Sequence, residues 1–302
     1  MRAREGQTAD ETAVPAEELC IRRGLRDVRV DRVTSISRED LASSYLEGDG
    51  RPVILTGVMQ QWPAMTKWNF DFFREKYGED VVLVADKLAG ATEIKETHLS
   101  TYLDYIEDKR HTWLKHCELD TPWYLGFYKP LAMHPELMED FTEPECLDNW
   151  CRYLEGEMAD WYRMGFGWIF IGPGGTYTRP HPDLFATHAW LAQLVGRKTY
   201  FLSEPLDDPQ RISTLTEKDF FQVDLEPGEF LLLPANWIHG AVSHAPSITL
   251  SFNFVNQRNF SRFMKTICRD ADRWRSMTRF VGEKVDPAKM TAELSAFAPG
   301  RK

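Results

Sequence analysis

Residues 168–205 read WIFIGPGGTYTRPHPDLFATHAWLAQLVGRKTYFLSEP, and the rest of the chain is arranged around them. Within them, His181-Pro182-Asp183 sets an imidazole and a carboxylate two positions apart. In extended backbone, positions i and i+2 project to the same side, so both donors aim at one point. Past them, Ala189, Leu191, Gln193 and Val195 alternate with Trp190, Ala192 and Leu194. Gly196-Arg197 then reads as a tight turn, and residues 198–202 as the returning strand. The loop Gly172-Pro173-Gly174-Gly175 lacks the ending and the following helix of a phosphate cradle, so it reads as a strand connection.

A histidine-aspartate pair alone is common by chance; its surroundings give it meaning. Pro234-Ala235-Asn236-Trp237-Ile238-His239 brings a second histidine on a stretch that reads as a buried strand. His181, Asp183 and His239 on one side of a metal would leave positions open opposite them, the donor set of non-haem Fe(II) oxygenases. Ile248, Leu250, Phe252 and Phe254 alternate with Thr249, Ser251 and Asn253. A central strand with one polar face implies a wet or ligand-filled interior, as in a small barrel with a cavity. Lys198 opens the strand after the hairpin, where a fixed cation can meet a carboxylate.

The 302 residues are 43% hydrophobic, enough for one large core. A net charge of −10 disfavours phosphate-rich partners, so nucleic acid is not expected. Five cysteines at irregular spacing suggest no disulfide framework and fit a reducing, cytoplasmic setting. His116-Cys117 with Cys146 and Cys151 does not have zinc-site spacing. No apolar run is long enough for a membrane span. Residues 1–20 are polar and are expected to be a disordered tail.

A helix over residues 37–46 is expected behind Ser37 and Asp40, and another behind Asn69 ending at Gly78. Strands are expected over 28–33, 52–56 and 81–85, and a helix over 101–108 behind Ser100. Residues 131–163 are rich in acids and aromatics, and packing over a barrel is favoured there over a lid. Phe260, Phe263, Met264, Ile267, Ala271 and Trp274 recur at helical spacing, a stripe that must be covered by the barrel or by a second copy. Asp286-Pro287 reads as the cap and first turn of a last helix over 287–298.

His181, Asp183, Thr187, Ala189-Trp190, Gly196 and Lys198 are followed in order by Gly228-Glu229, Pro234, Trp237, His239, Ser251 and Asn253-Phe254. This series resembles the JmjC (Jumonji C) family of Fe(II)- and 2-oxoglutarate-dependent oxygenases. It is most similar to the small hydroxylase branch, which includes JmjC lysyl hydroxylases and the factor-inhibiting asparaginyl hydroxylase. The resemblance is strong over residues 165–256 and weaker back through Arg51-Pro52-Val53-Ile54-Leu55 and Trp68 to Tyr77. It implies a mainly β fold, a double-stranded β-helix or jelly-roll barrel of the cupin/JmjC type, with an N-terminal α/β preface and C-terminal helices. Residues 21–256 would form the catalytic domain and 257–302 a helical extension for packing or dimerisation.

The resemblance further implies that His181, Asp183 and His239 hold Fe(II), with His181 near the start of a barrel strand. Lys198 would pair with the distal carboxylate of 2-oxoglutarate, helped by Thr178 and Ser251, with Tyr124 as a further contact and O2 as the other cosubstrate. Two positions depart from the lysyl-hydroxylase pattern: Leu191 replaces a usual asparagine, and His188 a small residue. The expected activity is hydroxylation of an unactivated C–H bond, with succinate and CO2 as coproducts. Substrates in view are an amino-acid side chain in a protein or peptide, or a free amino acid or small metabolite. A non-catalytic cupin binding module is the remaining reading, and a homodimer through the C-terminal helices is expected from the family.

Overall fold

The computed structural model describes residues 30–88, 91–107, 121–269 and 287–296. The preface runs β1 (Asp31–Val33), α1 (Arg38–Tyr45), β2 (Val53–Thr56), α2 (Ala64–Lys67), α3 (Phe70–Tyr77), β3 (Val81–Ala85), β4 (Ile94–His98) and α4 (Leu99–Ile106). Side-chain oxygens cap two of these helices, as their sequences imply. Ser37 Oγ accepts the Asp40 N–H at 3.0 Å, and Asn69 Oδ1 accepts the Phe72 N–H at 2.8 Å. α4 begins earlier than its serine suggests. The carbonyls of Asp80 and Gly78 take the N–H groups of Leu99 and Ser100, both at 2.9 Å, so this helix start needs no serine cap. β4 has weak apolar alternation and was not expected; pairing with β3 makes it a strand.

After α5 (Pro130–Met133) and α6 (Gly156–Phe166) come the barrel strands. They are β5 (Gly167–Gly172), β6 (Tyr177–His181), β7 (His188–Val195), β8 (Lys198–Ser203), β9 (Phe221–Leu225), β10 (Glu229–Leu233), β11 (Ile238–Ser243) and β12 (Ser247–Phe254). They form two sheets, ordered β1-β2-β10-β7-β12-β5 and β6-β11-β8-β9. All pairings but β1–β2 are antiparallel. This is a jelly-roll barrel with helical additions.

Period-two alternation sorts each strand between the barrel interior and its outer covers. Ala189 and Leu191 of β7 face inward and meet Tyr200, Leu202 and Val223 of the opposite sheet. Trp190 faces outward, 5.0 Å from Phe230 and 5.3 Å from Phe252 between ring centroids. That outer face is buried under Trp62, Phe141, Tyr162 and Phe166. Each such aromatic contributes about 1.5–3 kcal/mol of burial free energy. Leu206, Ile212 and Leu215 cover the outside of the smaller sheet over Phe201 and Val242.

Residues 131–163 act as cover: Trp150, Trp161 and Tyr162 are buried in the outer core. α7 (Phe260–Arg269) lays its stripe on its own chain, with Phe263 and Ile267 fully buried. Phe260 packs on Trp150 at 5.4 Å and Phe263 on Phe166 at 6.4 Å. α8 (Pro287–Ser295) follows; Ala271, Trp274 and Asp286 lie outside the described residues. Among the described residues, no helix is long and apolar enough to cross a membrane.

Candidate metal and cosubstrate site

β6 and β11 run side by side with His181 directly opposite His239. Their rings lie 4.6 Å apart between centroids. Such close approach depends on Gly240, where a Cβ would stand 2.8 Å from the Thr178 carbonyl oxygen and 3.1 Å from Pro180 N. The register shifts just there, between His239 and Ala241, and a bulge of this kind re-aims side chains.

His181 ends β6 instead of starting a strand, so the expectation of an early strand position is corrected. The backbone leaves the sheet at this point because Pro182 has no N–H to donate to a ladder. It stays extended through Asp183 (φ −67°, ψ 161°), and the two-residue spacing still aims both side chains inward. Asp183 Oδ2 lies 4.0 Å from His239 Nε2, and donor atoms of all three residues lie within 4.8 Å of one another. Among the described residues, this is the group of three donors able to hold a metal.

The tautomers suit that task. His181 Nδ1 faces the Arg179 carbonyl at 2.8 Å, and His239 Nδ1 faces that of Trp237 at 3.2 Å. A carbonyl only accepts, so each neutral ring carries its proton on Nδ1 and keeps the Nε2 lone pair. Two lone pairs and a carboxylate with room opposite them fit a divalent iron.

The turn carrying Asp183 is strained and clamped. Phe185 (φ 55°) and Ala186 (φ 52°) both adopt left-handed backbone, which costs on the order of 1–3 kcal/mol per residue. Thr187 Oγ1 donates to the Leu184 carbonyl (2.8 Å), and Asn253 Nδ2 donates to Thr187 Oγ1 (2.8 Å). Fully buried Asn259, at the head of α7, donates to the carbonyls of Ala186 and Phe254 at 3.1 Å each. Its Oδ1 accepts the Asn256 N–H at 2.9 Å. The sequence reading assigned Asn259 no part in the site; an asparagine five residues beyond a strand carries no distinctive signal.

Between the two sheets opens a cavity of about 920 Å³, walled in part by the three donors and by Tyr124, Thr178, Lys198 and Ser251. Lys198 is 2% exposed. Its Nζ donates to Tyr124 Oη at 3.2 Å and lies 5.7 Å from the Phe170 ring centre. No carboxylate pairs with Lys198 among the described residues, and burial pushes its pKa down to about 7. A buried ammonium that faces a cavity and has no acid partner of its own suits an incoming carboxylate. Burial raises the Tyr124 pKa well above the usual phenol range, against a hydrogen bond with Thr178 that lowers it.

Ser251 faces inward, as the alternation of its strand implies. It lines the cavity, yet its hydroxyl donates to the Trp190 carbonyl at 2.9 Å, so its proton points into the sheet. Leu191 packs among the inner apolar residues and leaves the wall without an amide there. His188 projects from the outer side of β7. Its Nδ1 accepts the Ala235 N–H at 3.0 Å, and burial holds its pKa down to about 3, so it is neutral. His244 pairs with Thr199 Oγ1 at 2.6 Å, away from the donors.

A jelly-roll barrel with an open two-histidine, one-carboxylate cluster and a buried lysine in the same cavity defines a JmjC-type cupin. Residues 40–210 match the model of the cupin-like domain family, and the chain belongs to that family. It is 26% identical to the Lysine-specific demethylase JMJ21 of Arabidopsis thaliana, over 76% of this chain and 26% of that protein. It is 30% identical to Lysine-specific demethylase 8 of Danio rerio, over 59% of this chain and 41% of that protein. It is 22% identical to the 2-oxoglutarate and iron-dependent oxygenase JMJD4 of Gallus gallus, over 85% of this chain and 66% of that protein. The chain thus spans about a quarter to two thirds of the length of these relatives.

Proposed function

We propose that this chain is an Fe(II)- and 2-oxoglutarate-dependent dioxygenase that hydroxylates an unactivated C–H bond, on an amino-acid side chain of a protein or peptide. The observation that carries this reading is the convergence of His181, Asp183 and His239 within the cavity that also holds acid-free Lys198. Names of relatives that include an iron- and 2-oxoglutarate-dependent oxygenase and demethylases support it.

In this reading His181 Nε2, His239 Nε2 and an Asp183 oxygen hold the iron. Iron and 2-oxoglutarate bound there would supply the oxidising power for hydroxylation by O2, with succinate and CO2 as coproducts. The protein's own residues bind and orient. Lys198, steadied by Tyr124, meets the distal carboxylate, and Thr178 adds a hydroxyl beside it. Ser251 joins them by turning its proton away from the Trp190 carbonyl. Ala189, Leu191 and Tyr200 keep water from the inner end, which raises the worth of each charged contact there.

The test is anaerobic addition of Fe(II) and then 2-oxoglutarate, following the visible charge-transfer band, with succinate release measured in air. Wild type is expected to show both signals. Asp183→Ala is expected to lose both while keeping the wild-type circular dichroism. A wild-type protein with no band, or an Asp183→Ala variant with full turnover, refutes the assignment.

A further inference from the structure

From Tyr124 and Phe170, beside Lys198, an aromatic wall of the cavity runs outward past the metal and cosubstrate residues. β5 is an edge strand of the larger sheet, and Trp168 and Phe170 project from the same side of it into the cavity. Their rings are nearly parallel, 8° apart, with centroids 6.5 Å apart. Tyr124 stacks beyond Phe170, 6.3 Å between centroids and 30° between planes. Phe127 continues the wall outward and is 40% exposed. Trp168 and Phe170 are each half-buried, so the platform keeps free surface.

Lys129 Nζ sits 3.2 Å from the Trp168 ring centre, yet Lys129 is not part of the cavity wall. It therefore covers the face of the indole turned from the cavity. The same nitrogen has a long hydrogen bond to the Gly165 carbonyl, 3.4 Å. As ammonium or as amine, it directs N–H density at the ring and draws on the negative potential that a second cation would need.

The charges along the wall point the same way. Among the described residues lining the cavity, the carboxylates are Asp183 and Asp207. Asp183 belongs to the metal cluster, and Asp207 is exposed at the rim. Lys198 and Arg269 are the basic groups of the same wall. With Lys198 taken up by the cosubstrate, an ammonium or guanidinium entering here would meet the exposed Arg269, one distant acid and an indole already engaged. Losing its water without a paired charge would be costly.

We infer that the substrate presents to the metal an uncharged, flat apolar group, an aromatic side chain or ring, which lies on the Trp168–Phe170 platform. This rests on the oxygenase reading of the cavity, and it sets the chain apart from relatives named for lysine demethylation. Trp168 and Phe170 are then specificity-determining residues.

The experiment is ligand-observed saturation-transfer NMR on the full chain, with Zn(II) as a diamagnetic stand-in for iron. The probes are N-acetylphenylalaninamide, N-acetyllysinamide and N-acetylargininamide, each with and without 2-oxoglutarate. The phenylalanine amide is expected to bind at least about fivefold tighter than either cationic amide, since one aromatic contact is worth about 1 kcal/mol. Trp168→Ala and, as the milder change, Trp168→Leu are each expected to weaken it about fivefold while 2-oxoglutarate still binds. Cationic amides that bind as well as the aromatic one overturn the inference. So does an aromatic amide that fails to bind, or binds equally to both variants. The 2-oxoglutarate signal on the same sample reports separately on the oxygenase reading.

Discussion

Lys198 gives the most demanding prediction, because the cation that the cosubstrate needs is held where cations are disfavoured. Burial brings its pKa from 10.5 to about 7. Between these values the unfolded chain holds a proton that the native chain has released. Stability of the protein without cosubstrate therefore rises with pH across that window. Binding of 2-oxoglutarate works in the opposite direction. In the proposed site only protonated Lys198 would pair with the carboxylate, so the apparent Kd should scale as 1 + 10^(pH − 7). From pH 6.5 to 8.5 the affinity should fall roughly 25-fold, about 1.9 kcal/mol. About one proton should be taken up per ligand at pH 8.5, and about a quarter of one at pH 6.5. The assay is calorimetric titration of the metal-loaded protein under anaerobic conditions, in buffers of differing ionisation enthalpy. Lys198→Met should lose the pH dependence and weaken binding by roughly 2–5 kcal/mol. Without the cosubstrate, the same variant should melt higher than wild type at pH 6.5, because a buried charge has been removed. Wild-type affinity that stays flat over this range, with no proton uptake, would refute the argument.

Three further outcomes follow from the geometry of the site. Asn259→Ala leaves two carbonyls and one N–H without their buried partner and frees a strained turn; a loss of about 2–4 kcal/mol in urea unfolding is expected, with weaker metal binding by titration. Gly240→Ala places a Cβ 2.8 Å from the Thr178 carbonyl oxygen, so β6 and β11 must part; metal affinity should drop more steeply than Tm. His188→Asn removes a ring buried outside the cavity; it should lower Tm and leave the 2-oxoglutarate Kd within about twofold of wild type.

Much of the barrel is legible in the sequence because strand alternation is a direct record of which side faces what. Phe252 against Ser251 alternates as apolar cover and cavity wall, as the sequence reading expects, and Trp190 against Leu191 does the same. The convergence of His181, Asp183 and His239 is legible too, since it needs only local spacing and one distant strand. Other features depend on non-local partners. β4 is a strand only because β3 lies beside it, and α4 starts where it does because two turn carbonyls from residues 78 and 80 reach its first N–H groups. The direction of the Ser251 proton is set by a neighbouring strand's carbonyl. Left-handed backbone at Phe185 and Ala186 runs against what those residue types prefer. It persists because a side chain 73 residues beyond Ala186 in the chain holds it.

That last dependence has a bearing on synthesis. During translation the paired donors of residues 181 and 183 emerge well before His239, and the clamp at Asn259 comes later still. A nascent or prematurely ended chain thus carries a carboxylate on an unheld turn and lacks its third donor. Under the proposed function, tight capture of iron would have to await the end of the barrel. Placing the final brace after the last barrel strand makes completion of the barrel a condition for arming the site.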